Sequence, residues 1–263
     1  QILQVRAGIQ AKFANHLLAE ELYARAQAEL TALPQLPDTL PQQCILRVNR
    51  ANNLRELGRP QDALPLLEEA DRVLDRLQPS AEMATWRRGV LNSRASLLNA
   101  LGRHAEADQV FEQLVVAIDT LPVSPETCVE HALAQLNRAG NAIHCGRNED
   151  AESLFAHAQR ILESLANDAR CARYLLMLMN NRALNLRHLG HHHEAERLFS
   201  QLESLQDAGG YAPLQFSILL NRAENLLCLK LIDQAEKFAI RARELADQVE
   251  DTLATRVQRS YAR

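Results

Sequence analysis

Apolar residues recur along most of the chain at intervals of three, four or eight, as in Leu178, Leu186 and Leu189. This spacing places them on one face of an α-helix. Such segments come in pairs, and in four pairs a glycine stands between the two members: Gly58, Gly102, Gly146 and Gly190. Glycine accepts the left-handed backbone that often ends a helix, so the pattern predicts helix–turn–helix units.

The predicted helix pairs are copies of one motif. An arginine and, 13 residues later, an alanine recur six times, with four steps of 44 residues and a last step of 40. The arginines are Arg6, Arg50, Arg94, Arg138, Arg182 and Arg222. We predict units at 1–33, 38–78, 82–121, 126–165, 170–206 and 212–249, with 250–263 as a cap or the start of a further helix. The first helix is short and no Met precedes it, so we expect a segment of a longer protein.

A single helix pair cannot bury its own apolar face, so the units are expected to stack. The motif is clearest in NRALNLRHLGHHHEAERLF, which starts at Asn181. Its small residue, glycine turn, Glu-Ala pair and later aromatic resemble the tetratricopeptide repeat (TPR), and the resemblance covers the whole chain. The usual repeat has 34 residues. The longer period here is most similar to kinesin light chains and bacterial regulatory proteins. The resemblance implies an all-α, right-handed superhelical α-solenoid of six units.

Composition narrows the functional classes. Hydrophobic residues make up 47% of the chain and charged residues 24%, and the net charge is −4. Nucleic-acid binding is disfavoured because the chain lacks a basic patch. The sequence contains no run of 18 apolar residues, so we predict no membrane helix. Five scattered cysteines without a C-x-x-C pair predict free thiols in a reducing compartment. We therefore expect a cytoplasmic protein without nucleic-acid or membrane partners.

Asparagines recur in pairs spaced i, i+4 on the predicted first helices. The pairs are Asn49 and Asn53, Asn137 and Asn141, Asn181 and Asn185, and Asn221 and Asn225. In TPR superhelices the first helices line a concave groove, and the resemblance places the first asparagine of each pair there. An amide can pair with both the N–H and the C=O of an extended peptide. We predict a peptide-binding ladder; the alternative is that these asparagines brace the helices internally.

Other side chains extend the same predicted face. They are Trp86, Tyr174, His144 and His188, with Arg187 and Arg55 placed to meet an acidic ligand. Trp86 has two roles that the sequence leaves equally open: it contacts an apolar side chain of the ligand, or it packs between units. The recurring arginines share a stripe with core leucines, so we interpret them as braces. Their predicted partners are the recurring acidic residues Glu20, Asp108, Glu152, Glu196 and Glu236.

The sequence offers no constellation for catalysis. His191, His192 and His193 lie in a turn and are expected to splay, which disfavours a metal site. Nucleotide-binding and hydrolase motifs are absent, so we predict neither catalytic residues nor a cofactor. The predicted function is a scaffold that grips an extended segment of a protein or peptide partner. The alternative is a regulatory or sensor segment that controls other domains of a larger enzyme or transcriptional regulator.

Overall fold

A computed structural model describes residues 2–32, 39–78, 80–165, 169–206 and 212–261. The regular secondary structure in these ranges is helical. The helices are α1 (Ile2–Lys12), α2 (His16–Ala32), α3 (Leu40–Glu56), α4 (Pro60–Leu74), α5 (Ala81–Ala100), α6 (His104–Asp119), α7 (Pro125–His144), α8 (Asn148–Glu163), α9 (Ala169–His188), α10 (His192–Gln206), α11 (Ala212–Cys228) and α12 (Ile232–Tyr261). The predicted all-α helical repeat architecture is confirmed.

The helices fall into two compact units. The N-terminal unit, Gln1–Val123, holds α1 to α6, and the C-terminal unit, Ser124–Arg263, holds α7 to α12. Consecutive helices form pairs, which we number as repeats 1 to 6. Residues 33–38, 166–168 and 207–211, which lie around three of the predicted unit boundaries, are outside the described residues.

The last helix is longer than the sequence pattern suggested. Residues 250–261, predicted as a separate cap or the start of a further helix, continue α12 without a break. Neither glycine nor proline occurs between Ile232 and Tyr261, so nothing in this stretch interrupts the helical backbone.

Two first helices begin at serine caps. The Ser80 hydroxyl accepts a hydrogen bond from the Met83 backbone N–H at 3.1 Å. Ser124 and Thr127 form a reciprocal capping box at the start of α7. Both caps satisfy backbone donors that a helix leaves unpaired at its first turn, and so they fix where α5 and α7 begin.

The core is built from large residues packed on small ones. The recurring alanine is the fourth residue of each second helix, and an aromatic ring follows four residues later in repeats 1, 3, 4 and 5. In repeat 4, Ala151 and Phe155 are both 0% exposed, and they pack with Ala139 and Ala142 of α7. The alanines allow the helices to approach closely around the ring, and tight packing of this kind holds the repeats together.

The turn between paired helices contains a residue with a left-handed backbone, which is glycine in repeats 2 to 5. Gly190 has a φ of +80°, and its N–H donates to the Arg187 carbonyl at 3.0 Å. Repeat 6 makes the same turn with Lys230, at a φ of +61°, and the Lys230 N–H donates to the Leu227 carbonyl at 3.0 Å. Lysine therefore adopts a left-handed conformation that its Cβ disfavours.

Replacing Lys230 with glycine is expected to stabilise the protein by about 0.5–1 kcal/mol. The change removes the steric strain of a left-handed lysine, and this gain outweighs the greater conformational entropy of glycine in the unfolded state. The converse change, Gly190→Ala, should destabilise by a similar amount. Urea denaturation of both variants checks this. A lower free energy of unfolding for Lys230→Gly would contradict it.

Candidate ligand-binding surface

Four of the recurring arginines, Arg50, Arg94, Arg182 and Arg222, brace their first helix against the second helix of the preceding repeat. Arg50 donates from Nε to Glu20 Oε1 at 2.8 Å and from Nη1 to Gln27 Oε1 at 2.7 Å. Arg182 binds Glu152 in the same way, at 2.7 Å. The predicted pairs Arg50–Glu20, Arg182–Glu152 and Arg222–Glu196 are confirmed. These side chains are structural, and the helices that carry the asparagines are held by them.

Repeat 3 uses a different acceptor. The position equivalent to Glu20 is Leu64, and Arg94 instead lies 3.6 Å from Asp71. Asp71 is seven residues after Leu64 and therefore two helical turns away on the same face, at the position that Gln27 occupies in repeat 1. Burial raises the pKa of Asp71, and the charge of Arg94 opposes this rise. The sequence analysis missed this partner because it considered only one acceptor position.

The second asparagine of each pair is not on a ligand-accessible face. Asn53, Asn141, Asn185 and Asn225 are at most 3% exposed. Asn185 Nδ2 donates to the backbone carbonyl of Asn148 at 2.9 Å, and Asn225 Nδ2 donates to that of His192 at 3.0 Å. Both acceptors are the first residue of the preceding repeat's second helix. The prediction of a groove position is corrected for all four: a step of four residues turns the side chain by about 40°, enough to move it into the packed interior.

The buried position carries asparagine in repeat 2 and leucine in repeat 3. In repeat 2, Asn53 Nδ2 donates to the His16 carbonyl at 3.0 Å, and its Oδ1 lies 3.0 Å from His16 Nδ1. In repeat 3 the equivalent residue is Leu97, and the residue 37 positions earlier is Pro60. Leu97 is buried in an apolar cluster with Leu66. Leu97 therefore fills with an apolar side chain the position at which Asn53 makes its hydrogen bonds.

The first asparagine of each pair lies at the edge of the packed interface. Asn49, Asn137, Asn181 and Asn221 are half-buried. Asn221 Nδ2 donates to Asn180 Oδ1, on the preceding first helix, at 3.1 Å. The amides of Asn49 and Asn181 make no hydrogen bond within the part of the chain that the structure describes. We call Asn137, Asn181 and Asn221, all in the C-terminal unit, the amide row.

Arg187 is already paired. Its guanidinium donates to the carboxylate of Glu224 on the next first helix, and the arginine side chain is only 16% exposed. Arg55 forms an ion pair with Glu56 at 2.6 Å. The prediction that Arg187 awaits an acidic ligand is therefore corrected, because a carboxylate of the same chain neutralises its charge.

The remaining predicted side chains differ in exposure. Trp86 is half-buried and packs against a cluster that contains Val90, and Tyr174 packs in the same manner on the cluster around Phe155. His144 and His188 are exposed at the last positions of α7 and α9. Contact of any of these four with a ligand stays a prediction.

The titratable clusters show no metal geometry. Across the described ranges, no group of three or more His, Cys, Asp or Glu side chains is arranged to hold a metal ion. His191 and His193 are exposed, whereas His192 is partly buried as the first residue of α10. In the same ranges, no helix combines the length and apolarity needed to cross a membrane.

None of the five cysteines, all of which lie within the described residues, forms a disulfide bond. Cys44 and Cys171 are buried, whereas Cys145 and Cys228 are exposed. Burial raises the pKa of the Cys44 thiol to about 11, and the nearby carboxylate of Asp71 adds to this rise. Cys44 is therefore a core residue without thiolate character at neutral pH.

Comparison with known proteins bears on the fold. No family model matches the sequence, and no curated protein matches it. Among solved structures, nearly identical TPR-like repeats from Podosopora anserina are 18% identical, with 82% of this chain and 99% of that chain covered and a TM-score of 0.62. The fold is that of tetratricopeptide-like repeats. The predicted resemblance is confirmed.

Two further TPR-type structures share this architecture. NprR in complex with its cognate peptide NprX is 14% identical, with a TM-score of 0.64, over 94% of this chain and 67% of that chain. The STAND protein PH0952 from Pyrococcus horikoshii, which has a tetratricopeptide repeat sensor, is 14% identical, with a TM-score of 0.72. This chain is covered to 94% but spans only 36% of PH0952. At such identities the likeness concerns the fold alone.

Proposed function

We propose that this chain is a binding module that holds an extended segment of a protein partner against its first helices. The observation that carries the proposal is the amide of Asn181, which is half-buried and makes no hydrogen bond within the described residues. An amide presents a donor and an acceptor together, which complements the alternating N–H and C=O groups of an extended backbone. On the next first helix, Asn221 would add an acceptor oxygen, because its Nδ2 already donates to Asn180.

The surroundings of Asn181 favour a preorganised contact. The next residue, Arg182, braces α9 against Glu152, and one turn later the buried Asn185 ties α9 to the start of α8. A side chain on a helix held in this way loses less conformational freedom when a ligand arrives than one on a mobile loop. Asn49 occupies the equivalent position in the N-terminal unit.

The similar structures are consistent with this function. NprR was solved in complex with a cognate peptide, and the TPR part of PH0952 is described as a sensor. The transfer of peptide binding to this chain is part of our proposal, and the amide row is its specific content. The partner would be a protein or peptide segment, and the asparagines would contact its backbone more than its side chains.

A second candidate is a regulatory or sensor segment of a longer parent protein. It is favoured by the coverage, because this chain spans 36% of PH0952 and 67% of NprR. In this case peptide binding would control other domains of the parent. The two candidates differ in what flanks this segment in the full-length gene, so sequencing that gene distinguishes them.

The test is a peptide array followed by calorimetry on the best ligand. Asn181→Ala is expected to weaken binding about 5- to 100-fold, since two hydrogen bonds of about 0.5–1.5 kcal/mol each are lost. The matched control is Gln201→Ala, which removes an exposed amide from α10. The proposal fails if Asn181→Ala is folded and binds every array ligand as the unmodified chain does.

A further inference from the structure

A cavity of about 280 Å³ lies in the N-terminal unit, where α1, α2 and α3 meet. Pockets for whole small molecules have volumes of about 300–1,000 Å³, so this space suits a single side chain. The polar residues that border it are Lys12, His16, Tyr23, Asn49, Asn52, Asn53 and Glu56.

Tyr23 supplies a buried polar group to the cavity. The residue is only 3% exposed, and its hydroxyl makes no hydrogen bond to any residue that the structure describes. Gly8 leaves room beside it, because a Cβ at that position would lie 3.7 Å from the hydroxyl oxygen. Burial raises the pKa of Tyr23, so the hydroxyl stays protonated at neutral pH. Because the hydroxyl borders the cavity without a partner among the described residues, it can pair with a group of a ligand.

Two amides complete the polar lining. Asn49 and Asn52 are three residues apart on α3, and within the described residues neither side chain makes a hydrogen bond. The adjacent Asn53 behaves differently, because both of its amide atoms are bound to His16. The cavity therefore combines a fixed wall with two amides that still offer donors and acceptors.

The lining selects against charged and apolar occupants. The exposed side chains of Lys12 and Glu56 border the cavity with opposite charges. A carboxylate only accepts hydrogen bonds, so it would leave the amide oxygens of Asn49 and Asn52 without a donor. An ammonium only donates, so it would leave the N–H groups of both amides without an acceptor. An apolar group would leave the hydroxyl of Tyr23 unpaired. A primary carboxamide is neutral and supplies two donors and an acceptor.

We infer that this cavity is a subsite for a carboxamide side chain, asparagine or glutamine, of the bound segment. The inference rests on the proposed function. It adds selectivity for one type of side chain to a surface that otherwise binds the backbone of the partner. It also gives Asn52 a binding role that the sequence analysis did not consider.

The experiment is an NMR titration of the ¹⁵N-labelled full chain with three probes. They are N-acetylglutamine methylamide, N-acetylglutamate methylamide and N-acetylmethionine methylamide, which share a backbone and differ in the side chain. We expect the glutamine probe to bind at least about 5-fold more tightly than the others, and to shift the side-chain amide signals of Asn49 and Asn52. Tyr23→Phe should weaken its binding about 2- to 10-fold, because one hydrogen bond is lost.

The control is Thr31→Val, which removes an exposed hydroxyl from the same helix, α2, and should leave probe binding unchanged. Equal binding of the three probes, no binding of any of them, or unchanged binding to folded Tyr23→Phe overturns the inference. The two proposals fail separately. If peptide binding depends on Asn181 but the cavity shows no preference for glutamine, only the subsite inference is wrong. If the cavity prefers glutamine but peptide binding does not depend on Asn181, only the proposal for the amide row is wrong.

Discussion

Replacing Arg222 with alanine is expected to lower the free energy of unfolding by about 2–3 kcal/mol. The guanidinium is 11% exposed and donates to Glu196 at 2.8 Å and to Ser200 at 3.0 Å. It also binds Glu203 and stacks over Phe238 at 4.1 Å from the ring centre. Alanine would leave the largely buried Glu196 without its cation and would remove the packing of the arginine stem.

Urea denaturation measures this effect, with Arg59→Ala as the matched control. Arg59 pairs with Asp62, but the two side chains are 56% and 51% exposed, so its loss should change stability by less than about 1 kcal/mol. Arg222→Lys should recover only part of the loss, since an ammonium cannot reproduce the forked donor geometry. Equal effects of Arg222→Ala and Arg59→Ala would contradict the bracing role.

The same brace makes a contribution that depends on pH. Hydrogen bonds from Arg241 and Arg222 hold the pKa of Glu203 below its ordinary value. A carboxyl group whose pKa is lowered in the folded state stabilises the fold above its unfolded-state pKa. That contribution is lost as the pH falls through the lowered pKa. The variant Arg222→Ala should lack the part that Arg222 supplies and keep the part that Arg241 supplies.

Replacing Asn185 with alanine is expected to destabilise the protein by about 1–3 kcal/mol. Asn185 is 0% exposed, and its Nδ2 supplies the hydrogen bond to the Asn148 carbonyl that links repeats 4 and 5. The change removes this bond and leaves a small void in close-packed surroundings. The measurement is the unfolding free energy in urea. A value within about 0.5 kcal/mol of the unmodified chain would show that the buried amide is not a strut.

The repeat architecture could be predicted from the sequence because its signals are local and periodic. The arginine and alanine series set the phase of the helices, and the glycine at each turn marks where the first helix of a pair ends. The bracing of Arg50 and Arg182 also followed from residues that recur in register, since equivalent positions in stacked repeats meet equivalent neighbours.

The binding surface could be predicted only in part. Helical spacing shows that Asn181 and Asn185 share a side of α9, but not which of them the neighbouring repeat covers. That distinction depends on a rotation of about 40° and on the depth of packing. Arg187 was considered without Glu224, which lies 37 residues later on the next first helix. The Tyr23 cavity is formed by three helices, so no single segment of sequence indicates it.

The most direct test of this account compares Asn181→Ala with Asn185→Ala for peptide affinity and for stability. The peptide is the best ligand from the array, and calorimetric titrations are made at a temperature where both variants are folded. We predict that Asn181→Ala loses affinity about 5- to 100-fold with nearly unchanged stability. Asn185→Ala should lose stability and bind normally. Normal binding by Asn181→Ala, or lost binding by a fully stable Asn185→Ala, would contradict the division of each pair into a contact and a strut.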